Sequence, residues 1–177
     1  MQTKYYFVSP VMLLLAFLLP CFGQLSTLDR YFFENIKGIH VDVTDVNVLG
    51  MSAETLRTDV ELKLRTAGIK VLSKEEWSHP DSITILSDHA RLFVNVALLK
   101  VSNGGNATGY SFFVRVGLWQ DVALYSKKNV DQGGQAETWV SGAHGIAPPD
   151  KVVEKIRSDT KEAVDKFINA YLACTKK

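Results

Sequence analysis

The alternation of apolar and polar residues predicts strands in four stretches of the chain. In residues 37–48, apolar side chains occupy every second position through Val43, and the alternation shifts phase at Asp45, which favours a bulge there. The links between the later stretches are short and rich in Gly, Asn and Ser, so we expect those stretches to form an antiparallel meander. The later stretches are 90–101, 110–125 and 135–143.

Apolar residues recur at helical spacing in two other segments. In residues 50–72, Ser52 is a good N-cap and an apolar stripe at helical spacing follows it. Gly68 fits the left-handed backbone conformation at which helices commonly end. Residues 69–72 follow as a short predicted strand, and strand, helix and strand in this order indicate a parallel crossover. Residues 148–177 begin with two prolines and are predicted to form a long C-terminal helix.

The order of these elements predicts an α+β fold. A β-α-β unit comes first, a capping box of Ser73 and Glu76 adds one helical turn, and the antiparallel meander and the C-terminal helix follow. Because each amphipathic helix needs an apolar surface, we expect a two-layer sandwich with a mixed sheet and both helices on one face. The meander positions predicted to face the helices are Leu92, Val94, Val96, Leu98, Phe112, Val114, Val116, Leu118, Thr138 and Val140.

The opposite face of the meander is predicted to combine aromatic side chains with a polar row. Exposed aromatic patches often mark binding sites, so we hypothesise that this face binds a partner protein or a small ligand. The alternative is that residues 25–36, which are rich in Leu, Tyr and Phe, cover the face. The candidate binding residues are Asn95, Phe113, Arg115, Trp119, Glu137 and Trp139.

The first 23 residues have the pattern of a signal peptide. The apolar run VMLLLAFLLP is too short to span a bilayer, and small residues precede a candidate cleavage point before Gln24. We therefore expect residues 1–23 to be removed and residues 24–177 to form a single α+β domain that is periplasmic or secreted.

Two positions are candidates for covalent modification. Cys21, in the stretch LLPC, loosely resembles the lipidated cysteine of a bacterial lipobox, although Pro20 departs from that motif. Lipidation at Cys21 would anchor the protein to the envelope instead of leaving it soluble. Asn106 begins an N-glycosylation sequon, which has meaning only in a eukaryotic secretory pathway.

Charge and motif content exclude several classes of function. The chain has 20 basic and 19 acidic residues, so it lacks the basic excess of a nucleic-acid-binding protein. Contact with a membrane is expected only through a lipid on Cys21. We expect no cofactor, since the chain has neither a P-loop nor a dinucleotide fingerprint, and no metal, since its four histidines do not have ligand spacing.

The stretch TWVSGAHGIAPPD, residues 138–150, places Ser141 close in sequence to His144. The chain lacks the GxSxG elbow of many serine hydrolases, and a strand that turns into a helix explains the glycines. A binding protein without catalysis is therefore favoured. The alternative is a small secreted hydrolase that uses His144 or His89 with nearby acidic or serine residues.

Across residues 38–172 the chain resembles a family of small exported bacterial proteins of unknown function. The matching stretches are LRTDVELKLRTAGIKVLSKEEW, LFVNVALLK, GYSFFVRVGLWQDVAL, TWVSGAHGI and VDKFINAYLA. More coarsely, the order of elements looks like the α+β modules of periplasmic assembly proteins, such as the N-terminal domain of TolB or the lipopolysaccharide-assembly protein LptE. The resemblance implies an accessory role in binding or envelope assembly and carries over no catalytic residue.

Overall fold

The structure is a computed structural model that describes residues 32–44, 46–78, 88–103, 106–123 and 133–175. The strands in these ranges are β1 (Gly38–Val43), β2 (Asn47–Val48), β3 (Met51–Ser52), β4 (His89–Asn103), β5 (Asn106–Ala123) and β6 (Gly133–Ala147). The helices are α1 (Ala53–Thr66), α2 (Lys74–Ser78) and α3 (Val152–Thr175).

The main sheet has four strands in the order β1-β4-β5-β6. β1 runs parallel to β4, with Val41 opposite Leu92, and β4, β5 and β6 pair antiparallel with one another. This mixed sheet confirms the predicted α+β fold and its meander. The single bulged strand predicted for residues 37–48 is wrong, because β1 ends at Val43 and β2 pairs with β3 in a separate sheet.

α1 and α3 lie side by side on one face of the main sheet, as predicted. α1 contacts β1, α3 contacts β5 and β6, and the two helices contact each other. The hydroxyl of Ser52 caps α1 by accepting a hydrogen bond from the Thr55 N–H at 3.2 Å, and Gly68 follows the helix with a φ of +80°. The largest fully buried side chains between the layers are Phe33, Ile39, Val41, Leu56, Val60, Leu64, Leu92, Val94, Val114, Leu118, Ile156 and Phe167.

The segment that follows α1 returns alongside the outer edge of β1. The Ile39 N–H donates to the Lys70 carbonyl and the Leu72 N–H donates to the Ile39 carbonyl, both at 2.9 Å. Val71 therefore forms a parallel bridge with Ile39, which confirms the parallel crossover. The strand predicted for residues 69–72 is reduced to this bridge.

α2 begins at the predicted capping box. The Ser73 N–H donates to the Glu76 carboxylate at 2.9 Å, and the Glu76 N–H donates to the Ser73 hydroxyl at 3.2 Å. This backbone donor, with Lys70 close by, holds the pKa of Glu76 below its ordinary value. The Trp77 ring stacks on His40 at a centroid distance of 5.3 Å, so α2 lies against the side of β1 that faces away from the core.

The described part of the N-terminal arm packs on the helix side of the sheet. Phe33 is 1% exposed, and its ring lies 6.0 Å from that of Phe167 and 6.1 Å from that of Tyr171 in α3. Residues 32–36 therefore do not cover the opposite face of the meander, while residues 25–31 lie outside the described residues. The predicted signal peptide, Cys21 and the side chain of Asn106 lie outside them as well.

Of the helices in the described ranges, none combines the length and the apolar character needed to cross a bilayer.

Candidate functional site: the open face of the sheet

The face of β4, β5 and β6 that points away from α1 and α3 is called the open face here. Its side chains alternate along each strand with the buried ones, such as Val94 and Val114, that face the helices. Among the described elements, both long helices lie on the other side of the sheet. The open face comprises Arg91, Phe93, Asn95, Ala97, Leu99, Phe113, Arg115, Trp119, Glu137, Val140, His144 and Ile146.

A β-bulge in β6 decides which tryptophan belongs to the open face. Leu118 lies opposite Trp139 and Trp119 lies opposite Glu137, so Thr138 is the additional residue on the β6 side. One additional residue reverses the alternation of the strand. Glu137 consequently lies on the open face, whereas Trp139 points to the helices.

The predicted location of Trp139 on the binding face is therefore wrong. Its ring contacts Phe167 of α3 edge to face, at a centroid distance of 5.3 Å and an interplanar angle of 67°. The same reversal places Val140 on the open face, where it is 52% exposed, although the uninterrupted alternation predicted it in the core. The other five candidates lie on the open face as predicted, and their role in binding stays a prediction.

A polar pair occupies the middle of the open face. The Arg115 guanidinium donates to the Glu137 carboxylate, and the Glu137 side chain is 17% exposed. Glu137 reaches Arg115 by lying flat over Gly117, where a Cβ atom would overlap its carboxylate. Asn95 lies directly opposite Arg115 in the ladder, so the predicted polar row exists.

An aromatic cluster lies next to this pair, towards β1. The Arg91 guanidinium lies 5.5 Å from the Phe93 ring centroid and 5.8 Å from that of Trp119. The Trp119 indole N–H is buried and has no hydrogen-bond partner among the described residues. The Asp42 carboxylate pairs with Arg91 at 3.8 Å.

The other end of the open face, defined as the apolar patch, is exposed and hydrophobic. Leu99 and Ile146 flank Ser111 on either side, because Ser111 pairs with both in the ladders. Leu99 is 70% exposed and Ile146 is 77% exposed, and Phe113 nearby is 41% exposed. His144 lies opposite Phe113, and Val140 lies further along β6, beyond Gly142, where it lines a shallow depression together with Phe113 and Arg115.

Ser141 and His144 are not arranged as the nucleophile and base of a hydrolase. Ser141 pairs with the buried Val116 and His144 pairs with Phe113, so the two side chains leave opposite faces of the strand. A nucleophile and its base must instead lie within hydrogen-bond distance.

His89, the other catalytic candidate, lies beside a carboxylate that is already paired. Its Nε2 atom is 3.6 Å from Asp88, and Asp88 forms an ion pair of 2.7 Å with Lys37. The hydrogen bond from Lys37 lowers the pKa of Asp88. Within the part of the chain that the structure describes, no three His, Cys, Asp or Glu side chains come together as a metal site.

A cavity of about 560 Å³ between α1, α2 and β1 was not anticipated from the sequence. Its wall includes the Trp77–His40 stack and several charged residues of α1. Those charges are paired along the helix: Arg57 with Glu54 at 2.8 Å, and Arg65 with Glu61 at 2.8 Å. The cavity therefore offers paired rather than free charges, and the open face remains the better candidate site.

Comparison with known proteins gives matches among solved structures only, since no family model and no curated protein matches the chain. Uncharacterized lipoprotein B from Nitrosomonas europaea is 12% identical, with 78% of this chain and 88% of that chain covered and a TM-score of 0.34. A minor lipoprotein from Acinetobacter baumannii is 8% identical, with 78% and 92% covered and a TM-score of 0.30. The rare lipoprotein B from Shewanella oneidensis is 16% identical, with 77% and 89% covered and a TM-score of 0.26. All three are bacterial lipoproteins by name.

Proposed function

We propose that this chain is a non-catalytic binding protein of the bacterial envelope that holds a protein partner against the open face of its sheet. The observation that carries the proposal is the apolar patch: Leu99, Phe113, Val140 and Ile146 are 41% to 77% exposed on the same face of the sheet. Exposed apolar patches of this kind are uncommon on monomeric proteins and mark interaction sites.

The composition of the open face supports a protein as the partner. Aromatic residues and arginine are enriched at the centres of protein interfaces, and Phe113, Trp119 and Arg91 supply both here. The Arg115–Glu137 pair is neutral as a unit, so a partner can cover it without leaving an unpaired charge. A small ligand would be expected to require an enclosed pocket with convergent polar groups, whereas the depression of about 410 Å³ on this face, lined by Phe113, Arg115 and His144 among others, is wide open to solvent.

The proposed cellular location rests on the sequence pattern of the N-terminal residues. A signal peptide at residues 1–23 would export the chain, and lipidation of Cys21 would attach it to the envelope membrane. Mass spectrometry of the mature N-terminus distinguishes the two forms. Cleavage before Gln24 supports the exported soluble form, and a diacylated Cys21 supports the anchored form.

Site-specific photo-crosslinking in the cells that make the protein tests the binding surface. A photoreactive residue at Phe113 or Leu99 should give a discrete adduct with a partner protein, and the same residue at Glu162 on α3 should not, because Glu162 is exposed on the helix layer. Arg115→Ala should weaken the adduct from position 113. Equal adducts from positions 113 and 162, or none from the open face, would contradict the proposal.

Trp139 supplies a matched control for this experiment. Its ring packs on Phe167 on the other side of the sheet, so Trp139→Phe should leave the adduct from position 113 unchanged. Loss of the adduct in this variant, with the fold intact by circular dichroism, would indicate that the helix side binds the partner instead.

A further inference from the structure

The two edges of the main sheet differ in whether their outward-pointing backbone groups are hydrogen-bonded. The outer edge of β1 is hydrogen-bonded to the segment around Val71, as described above. β6 is the last strand of the sheet, and no described backbone group outside β5 pairs with it. Its outer edge therefore presents a row of N–H and C=O groups with no partner among the described residues.

Beyond its bulge at Thr138, β6 lacks the usual protection of an open edge. Exposed edge strands typically carry lysine, proline or inward-pointing charges, or are short. β6 has 15 residues, and the stretch from Thr138 to Ala147 contains no charged residue and no proline. The only acidic residue of the strand is Glu137, and its carboxylate is bonded to Arg115. Nothing in residues 139–147 opposes the approach of another strand.

We propose that β6 pairs antiparallel with β6 of a second copy of this chain, about a twofold axis that passes through Ala143. An antiparallel pair of identical strands is self-complementary, as a twofold interface requires. In this register Val140 lies opposite Ile146 of the second copy on the open face, and Trp139 lies opposite Ala147 on the helix side. The two apolar side chains that β6 exposes most, at 52% and 77%, then bury each other twice.

Registers with the axis moved by one residue do not place Val140 opposite Ile146. An axis through His144 places two imidazoles opposite each other and leaves Val140 facing Pro148, which cannot donate to a ladder. An axis through Gly142 places Ile146 opposite Thr138 at the bulge. The register through Ala143 is the one that pairs the regular segment 139–147 over its whole length.

The dimer would join two main sheets into one continuous sheet of eight strands. The two open faces would then form a single surface, with the apolar patches adjacent at its centre. The pairing uses Val140 and Ile146, which also belong to the apolar patch of the proposed function. The two proposals can fail separately, because the pairing is tested between copies of one purified protein and the function by adducts with a different protein in cells.

Lysine substitutions combined with sedimentation equilibrium of the purified protein test the pairing. Wild type should be dimeric at micromolar concentration. Val140→Lys and Ile146→Lys should each raise the dimer dissociation constant about tenfold or more, because the altered pair occurs twice in a symmetric interface. Leu99→Lys is the matched control: Leu99 is 70% exposed on the same face but lies in the interior strand β4, so this variant should remain dimeric.

Cysteine cross-linking tests the register itself. Ala143→Cys should form a disulfide-linked dimer under mild oxidation, since the twofold axis places the two thiols opposite each other. Ala136→Cys, which precedes the bulge in the same strand, should stay uncross-linked. The native Cys174 is buried and is expected not to interfere. A monomeric wild type, a dimer that both lysines leave intact, or an Ala143→Cys protein that forms no disulfide-linked dimer would overturn the proposal.

Discussion

Trp139 of β6 contacts Phe167 of α3 edge to face, with the ring centroids 5.3 Å apart. The contact exists because the bulge at Thr138 turns Trp139 towards the helices. The Thr138 hydroxyl donates to the Gln120 side-chain carbonyl at 2.6 Å, and the Gln120 amide donates to the Phe32 carbonyl at 2.9 Å. Hydrogen bonds through Gln120 thus connect the bulge to the N-terminal arm, and the ring of Trp139 connects it to the C-terminal helix.

Truncation of Trp139 should destabilise the fold. Trp139→Ala removes an aromatic ring that is partly buried against α3, and we expect the free energy of unfolding to fall by about 2–3 kcal/mol. Urea unfolding followed by circular dichroism measures the change. Leu99→Ala, at an exposed position of the open face in the interior strand β4, should change it by less than about 0.5 kcal/mol. Similar losses for the two variants would contradict the assignment of Trp139 to the helix side.

Three glycines of the sheet should respond to alanine in a fixed order. Gly134→Ala meets no atom within 4 Å and should be neutral or slightly stabilising. Gly117→Ala meets the movable Glu137 carboxylate and should cost about 1 kcal/mol through loss of its bond to Arg115. Gly142→Ala meets the backbone carbonyl of Val114 and should cost more than about 2 kcal/mol, because the ladder must shift. Thermal denaturation of the three variants checks the order.

The Lys37–Asp88 pair should contribute stability that is lost in acid. The hydrogen bond from Lys37 lowers the pKa of Asp88 in the folded protein. A carboxyl group with a lowered folded pKa stabilises the fold above its unfolded pKa, and this contribution disappears as the pH falls through the folded pKa. Lys37→Met should therefore reduce stability at neutral pH and converge with wild type in strong acid.

Carboxyl titration by NMR measures the same pair directly. Asp88 should titrate at a higher pH in Lys37→Met than in wild type. Lys151→Met, which removes an exposed lysine paired with Glu154 at 3.7 Å, should leave the titration of Asp88 unchanged. If Asp88 titrates at the same pH with and without Lys37, the ion pair does not persist in solution.

The Phe33 ring should contribute more to the free energy of unfolding than the Tyr171 hydroxyl, although both fix the N-terminal arm on α3. Tyr171 donates a hydrogen bond of 3.3 Å to the Ile36 carbonyl, so Tyr171→Phe should cost about 0.5–1 kcal/mol. Phe33→Ala empties a site that is 1% exposed and should cost about 3 kcal/mol or more. Chemical denaturation compares the two, and a larger loss for Tyr171→Phe would contradict this ranking.

Alkaline titration offers a second measurement on Tyr171. Burial raises the pKa of its phenol, since the charged form would lose solvation. The stability that the neutral phenol contributes is present below its unfolded pKa and is lost as the pH rises through the folded pKa. The ultraviolet absorbance of tyrosinate should show a late-titrating component that is missing in Tyr171→Phe.

Local signals in the sequence predicted the elements well. The Ser52 cap, the left-handed Gly68 and the reciprocal bonds of Ser73 and Glu76 occur as predicted. Such caps depend on groups three or four residues apart, so the information is contained in the local sequence. The alternation along β4 and β5 also gave the correct faces, because both strands keep their register across the core.

The face of Trp139 and Val140 depended on tertiary structure. A one-residue bulge has no signature in ETWVSG, and it is stabilised by partners distant in sequence, Gln120 and the arm at Phe32. The side on which the arm lies was likewise undetermined, because an amphipathic segment can pack on either apolar surface. Its position was decided by the rings of Phe167 and Tyr171 on α3.

The sequence by itself determined the elements, their order and the α+β class, because hydrophobic periodicity and capping act over a few residues. Only the tertiary structure decided which surface stays exposed and which sheet edge stays open. Those outcomes depend on contacts between segments far apart in the chain, and here they left the apolar patch around Phe113 and the edge of β6 as the two surfaces on which the proposed interactions rest.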